Sequence, residues 1–392
     1  MTASSLDVVD LARGLVQRPS EQSAAMEADP AVLGFVGDHV GPLLAGWGLA
    51  PRFDGMGNLW VALGPDGPAP SLALVGYAMT HPRGSMERPF AGEIVDGPGG
   101  PALRGRGIAE QKGALAAGLA ALHEARAWPL RGRLLFLLLT AGETGRHDAI
   151  RSVLTAMGTR PDLAVVLIGT DLAVSLGNKG RIDVDITVRG SVCHSSTPWA
   201  GVDAIRGTRR ILDALDGLDL GGSHPGLGRA SLVATHLRSF PEATHTLQDE
   251  VSLTLDRRLL PGDDPEAAFA AIAETAGLER PCTVEVRRGP FMHPAELPED
   301  GRLLTAITRG CAAEGLPAPA RFWSHGALDA GFLQVEGGEA TMWGPGDPAM
   351  WHRPDEVVAT ADLFAASRAY RGLVRALLVD SPVTPHPERS QP

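Results

Sequence analysis

The sequence predicts an α/β protein with a mostly parallel sheet and a smaller α+β domain inserted into it. Three observations carry that expectation. Strand-like and helix-like segments alternate through the first half. Residues 133–140 (RLLFLLLT) form an unbroken apolar run, as a strand covered on both faces requires. After Gly177 the texture changes to strictly alternating strands, beginning with 181–189 (RIDVDITVR), each with one wet face.

In chain order, an amphipathic helix is expected at 5–16, capped by Ser4 or Ser5, and another at 30–47. Strands follow at 58–63 and 71–77, then an Ala/Leu-rich helix at 111–126, the strand at 133–140, a helix near 147–157 and a strand at 163–168. The second texture reads strand 181–189, helix 202–218, strands 230–238 and 249–258, helix 265–276 and strand 283–288, a β-α-β-β-α-β order. Helices at 302–314 and 361–378 return to the first style. The expected organisation is therefore a discontinuous α/β domain at 1–180 and 290–380 around an α+β domain at 181–289. A Pro-rich, polar tail at 381–392 is expected to be disordered.

Composition excludes some classes of function. The 392 residues exceed one ordinary core. Acidic residues number 46 against 35 Lys and Arg, a net charge of −11, which weighs against nucleic acid and anionic membranes as partners. No apolar run approaches the roughly 18–20 residues of a membrane span. The opening MTASSLDVVDLARGLVQ reads as a helix rather than a signal peptide. Cys193, Cys282 and Cys311 are too widely spaced for a disulfide framework or a zinc knuckle, which suits a reducing cytoplasm. Lys112 and Lys179 are the only lysines, an arginine skew that, with abundant Ala, Gly and Pro, suggests a GC-rich bacterial genome.

Chemistry in a parallel sheet belongs at the carboxyl ends of the strands. Four segments fall there: GYAMTHP at 76–82, GRGIAEQKG at 105–113, TAGETG at 140–145 and GPGDPAMWHRPDE at 344–356. With GNKG at 177–180, GSVCHSSTPWAGVDAI at 190–205 and LDRRLLPG at 255–262, their order resembles the acetylornithine deacetylase, succinyl-diaminopimelate desuccinylase and aminoacylase family of di-zinc metallopeptidases. The resemblance covers nearly the whole chain. It implies a zinc-peptidase-like catalytic domain, an inserted dimerisation and lid domain, five metal ligands and one catalytic carboxylate.

Carried over residue by residue, the resemblance implies a depleted site. The first-strand His-x-Asp of the family falls on Tyr77 and Met79, and residues two apart share a strand face, so ligand and supporting carboxylate go together. The bridging Asp falls on Glu110. The Glu-Glu pair, a general base followed by a ligand, falls on Gly142 and Glu143. The acid before Pro-Thr falls on Ile168, and the last ligand on His352. The private ligands of one ion are gone, while Glu110, Glu143 and His352 remain for the other. That set suits one Zn²⁺ with an open position, or an inert polar cluster with no metal. Glu110, His81 and Tyr77 are candidates to replace the base lost at Gly142.

The resemblance further implies that His194 reaches across a homodimer and that Arg258 clamps a substrate carboxylate, a task its fork geometry suits. His245 stands where the family has Asn, and Gly326 lies in the turn lining the pocket. Cys193 is expected on the strand face opposite His194, and Lys179 and Asp329 to be structural. Three functions stay open. The first is an amidohydrolase of a small carboxylate-bearing substrate, an N-acyl amino acid or dipeptide-like compound. The second is a non-hydrolytic cyclase, amide-forming transferase, lyase or isomerase in a biosynthetic pathway. The third is a non-catalytic binding protein.

Overall fold

The apolar run at 133–139 becomes the strand Arg133–Leu139, with Leu134 to Leu139 wholly buried. A computed structural model describes residues 6–380 except Pro68, Pro98, Glu143 and Glu279; the expected caps Ser4 and Ser5 and the tail 381–392 lie outside the described residues. The run sits inside a six-stranded sheet ordered Arg52–Phe53, Leu59–Leu63, Arg133–Leu139, Ser71–Tyr77, Leu163–Leu167 and Glu339–Trp343. The last four strands are parallel, and the first two are antiparallel additions at one edge.

Helices cover both faces. Gly76 points at Leu115 of the helix Gly113–Ala125, so close that a Cβ would lie 2.8 Å from it. That helix packs with Val8–Val16 and Thr360–Leu378 over a core containing Leu72, Leu74 and Leu119. Tyr77, one residue on, takes the other face. The first helix begins at Val8, not at residue 5, because the Asp7 carboxylate accepts the Val9 and Asp10 amides (2.8 and 3.2 Å) and caps it.

The chain divides into two compact units. Among the described residues, one comprises those within Met1–Gly177, Glu296–Trp323 and Asp329–Pro392, the other those within Asn178–Ala295 and Ser324–Leu328. The second unit is an antiparallel sheet ordered Ser231–Phe240, Glu250–Leu259, Gly180–Arg189 and Thr283–Met292, with the helices Ala204–Asp216 and Pro265–Gly277. Alternation explains its core: Ile182, Val184, Ile186 and Val188 are buried with Val251, Leu253 and Leu255. The outer strand Ser231–Phe240 leaves Val233 and Leu237 more than half exposed.

One buried ion pair positions the chemistry of the larger unit. Arg106 Nη1 donates to Glu356 Oε2 at 2.8 Å, and both side chains are 1% exposed. Glu356 also accepts the amides of Gly107 and Ala109, each at 2.9 Å, so one carboxylate fastens the turn that leads into Glu110. Burial pushes the Glu356 carboxyl up, against the pull of these donors and of Arg106. The turn belongs to a small sheet that composition alone hid, Glu93–Gly97, Gly100–Arg104 and Val357–Ala359.

Replacing Arg106 by Met leaves a buried carboxylate without its cation. The expected loss of stability is about 3–5 kcal/mol, as for other buried pairs broken from one side. Urea denaturation of Arg106→Met checks it, and a midpoint within error of wild type would show that the pair is dispensable.

Candidate active site

Three turns interlock at the carboxyl ends of the strands. Gly107 has left-handed backbone (φ 78°), and a Cβ there would lie 2.4 Å from Thr80 Cγ2, so no other residue fits. The next turn is wide: the Lys112 amide donates to the Gly107 carbonyl at 2.7 Å. Beyond the strand Leu163–Leu167, the Gly169 amide donates to the Glu110 carbonyl at 2.8 Å. The Asp171 amide donates to Gly346, also at 2.8 Å. Glu110 is thereby held from both sides and is 6% exposed.

His352 comes to Glu110. Its Nε2 lies 3.3 Å from both carboxylate oxygens, and its backbone has a left-handed φ of 63°. His81 joins them by stacking its ring on His352, centroids 3.9 Å apart and planes within 16°. The strand does not continue to His81. Thr80 instead exchanges hydrogen bonds with the 20–22 segment, where Glu21 holds Arg83 (Nη2 to Oε2, 2.6 Å). Three of the expected site residues, Glu110, His352 and His81, thus meet. Glu143 lies outside the described residues.

Lys112, two residues past Glu110, is wholly buried. Its ammonium donates to the Arg18 carbonyl at 2.7 Å and lies over the Phe35 ring, and burial lowers its pKa to about 7.

Tyr77 is bonded to a different partner, which does not suit it to accept a proton. Its hydroxyl donates to Asp329 Oδ2 at 2.8 Å, and burial, reinforced by the Asp329 charge, pushes the phenol well above its ordinary range. The other oxygen of Asp329 pairs with His147 Nδ1 at 2.6 Å. His147 escaped the sequence reading because its partner is 182 residues away. The one available signal was a tyrosine in place of a histidine at the strand end. Ile168 is 2% exposed and packs as a core residue.

Gly142 is more than a missing carboxylate. A Cβ there would fall 2.3 Å from the Met79 carbonyl oxygen, so the backbone itself has closed over the place where a glutamate would start.

The substrate-binding residues expected from the resemblance lie in the second unit. Residues 191–197 do not form a regular strand, so the expectation that Cys193 and His194 occupy opposite strand faces fails. The segment is a set of turns with single bridges, Ser191 to Val202 and His194 to Thr246. His194 is exposed, with Nδ1 on Ser196 Oγ (2.8 Å), and the His245 carbonyl accepts the Ser195 amide (3.0 Å). Arg258 already holds a carboxylate. Its Nε and Nη2 donate to the two oxygens of Asp256 at 2.7 and 3.0 Å, while Nη1 reaches the His325 carbonyl, beside Gly326, at 3.4 Å. Lys179 donates to the Arg229 carbonyl, and burial, then the Arg258 charge, lowers its pKa.

Among the described residues, the donors at the positions the resemblance implies do not make up a two-ion centre. At the first position stand a phenol committed to Asp329 and the alkyl side chain of Ile168. At the second, Glu110 and His352 supply two donors among the described residues, and the stacked His81 ring lies parallel to His352 rather than converging with it. Among the described residues, no group of three or more His, Cys, Asp or Glu is arranged to hold a metal.

Fold and motifs together are those of a peptidase family. Residues 80–376 match the sequence profile of peptidase family M20/M25/M40, and the chain belongs to that family. It is 28% identical over 396 residues to a succinyl-diaminopimelate desuccinylase of Stenotrophomonas maltophilia, covering 95% of this chain and 99% of the relative. A desuccinylase of Alkalilimnicola ehrlichii is 27% identical over 343 residues, covering 82% and 87%. The fold is that of an M20 family metallo-carboxypeptidase of Sulfolobus solfataricus (TM-score 0.76, 13% identity, 95% and 99% covered). It also matches human carnosine dipeptidase 1 (TM-score 0.71, 14% identity, 94% and 95% covered). A further structural neighbour from Bacillus subtilis is described as a dinuclear metal binding peptidase (TM-score 0.63, 15% identity, 94% and 96% covered).

Restoring the family glutamate at Gly142 should therefore fail by itself. Gly142→Glu is expected to lower stability by roughly 1–3 kcal/mol, the range for forcing atoms into filled space. A urea melt with the wild-type midpoint would show that the turn opens freely.

Proposed function

We propose that the chain is an amidohydrolase that cleaves the amide bond of a small, carboxylate-bearing substrate, an N-acyl amino acid or dipeptide-like compound, at an atypical site holding one divalent ion or none. The observation that carries the reading is the Glu110–His352 pair at the carboxyl end of the sheet, fastened through Arg106–Glu356. A site dismantled without replacement would have no reason to keep a buried carboxylate facing an imidazole that is 41% exposed.

In this reading Glu110 accepts the proton of an attacking water and returns it to the amine as the C–N bond breaks. His352, within 3.3 Å, steers that carboxylate. A divalent ion bound by Glu110 and His352 would supply polarisation of the scissile carbonyl. Arg258, released from Asp256, would grip the substrate carboxylate. The closed backbone at Gly142 favours a second reading, a diverted, non-hydrolytic reaction of an amino-acid-derived metabolite, since the usual base has no room there.

Release of free amine from a panel of N-acyl amino acids and dipeptides, with and without added zinc, separates the two. Turnover is expected on carboxylate-bearing members. Glu110→Gln should lower kcat by about 10²–10⁴-fold, and Arg258→Met should chiefly raise KM. Inertness across the panel, with carboxylate ligands still raising the melting temperature, would transfer the case to diverted chemistry.

We further propose a homodimer through the outer strand Ser231–Phe240, whose Val233 and Leu237 are 55% and 54% exposed and whose backbone edge has no pairing strand among the described residues. Sedimentation is expected to give a dimer for wild type and a monomer for the double variant Val233→Glu, Leu237→Glu. A wild-type monomer would remove the dimer and with it any role for His194 in a neighbouring site.

A further inference from the structure

Tyr77, Asp329 and His147 form a buried, hydrogen-bonded trio. Tyr77 ends the strand Ser71–Tyr77, His147 precedes the helix Asp148–Met157, and Asp329 precedes the helix Ala330–Val335. All three are at most 3% exposed. Tyr77 Oη donates to Asp329 Oδ2 at 2.8 Å and accepts the Asp329 amide at 3.4 Å, while His147 Nδ1 meets Oδ1 at 2.6 Å. Both oxygens of one carboxylate are thus engaged, and three separate segments are tied at one point. The Phe332 ring closes over His147, centroids 5.2 Å apart.

We propose that this hydrogen-bonded trio replaces, as a structural cross-link, the first ion of the two-ion centre of the relatives, so that the chain binds no more than one divalent ion. The proposal rests on the assignment of Tyr77 to the first-ligand position and of Glu110 and His352 to the remaining ion. An ion entering here would have to displace the phenolic proton or pull the Asp329 carboxylate off His147. Nearby Met79 and Ile168, 0% and 2% exposed, offer no donor that would take over. Burial and the Asp329 charge hold the phenol protonated far above neutral pH, which acts in the same direction. A phenol, a carboxylate and an imidazole bonded to one another fasten the strand end as an ion would, without any ion.

Zinc loading followed by elemental analysis tests the proposal on the wild-type chain. At most one ion per chain is expected. Because Tyr77 and Tyr370 are the only tyrosines, the ultraviolet spectrum during the zinc titration is readable, and no tyrosinate absorbance should appear. Tyr77→Phe keeps the ring and removes the proton donor, and it should melt several degrees lower. Two ions per chain, a tyrosinate band on adding zinc, or a Tyr77→Phe protein that melts with wild type would each overturn the proposal. The ion count and the spectrum use the wild-type chain, so they decide even if the variant does not fold. Neither reads turnover, and failure of the amidohydrolase reading would show separately in amine release.

Discussion

The buried pair between Arg106 and Glu356 is the constraint on which the reactive end of the larger unit depends. It joins residues 250 positions apart and removes both charges from water. Such a pair is weak evidence of net stability, since its attraction must first offset the cost of desolvating each ion. Its use here is geometric. Glu356 takes two backbone amides of the turn before Glu110 as well as the guanidinium, so the path of that turn and the position of the 352–356 segment are set by one carboxylate. Glu110 and His352 meet because both are carried on backbone that Glu356 holds.

Glycines make the same region unforgiving. A Cβ at Gly169 would lie 1.9 Å from the Ala109 carbonyl, and one at Gly346 would lie 2.2 Å from it. Three turns from distant parts of the chain pack backbone to backbone, with no side chains between them to adjust. Close packing of this kind transmits a change at one turn to the others. The closure of Gly142 on Met79 likewise leaves no space for a side chain at that turn.

How far all this was legible in the sequence follows from range. The long strands and helices announced themselves through local pattern: 71–77, 133–139, 163–167 and the alternating strands of the second unit need only their own residues to be recognised. The strands Glu93–Gly97 and Gly100–Arg104 did not, because they are short, contain Gly and Pro, and are paired by Val357–Ala359 from the other end of the chain. The edge strand Glu339–Trp343 is a continuation of the buried parallel sheet, but its five residues follow a Gly-Gly pair that reads as loop. At the site, Glu110 and His352 were legible through motif order. The Asp329–His147 pair was not, since neither residue sits in a pattern that names its partner. Arg258 was read as a substrate clamp, and its engagement by Asp256 two positions away follows a same-face rule that the strand already implied.

The charges at the site are matched group by group. A two-ion centre balances several carboxylates with divalent cations, and a buried carboxylate left without its cation is among the costliest defects a core can carry. If one ion is given up, the acids that faced it must go, acquire a proton or find another partner. Here Met79 and Ile168 are neutral and buried, and Gly142 contributes no side chain. The acid that does remain on that side, Asp329, is bonded through one oxygen to a phenol and through the other to an imidazole. Glu110 faces His352, and Glu356 pairs with Arg106. Each buried acid named here has a named counterpart, so none is left as an uncompensated buried charge.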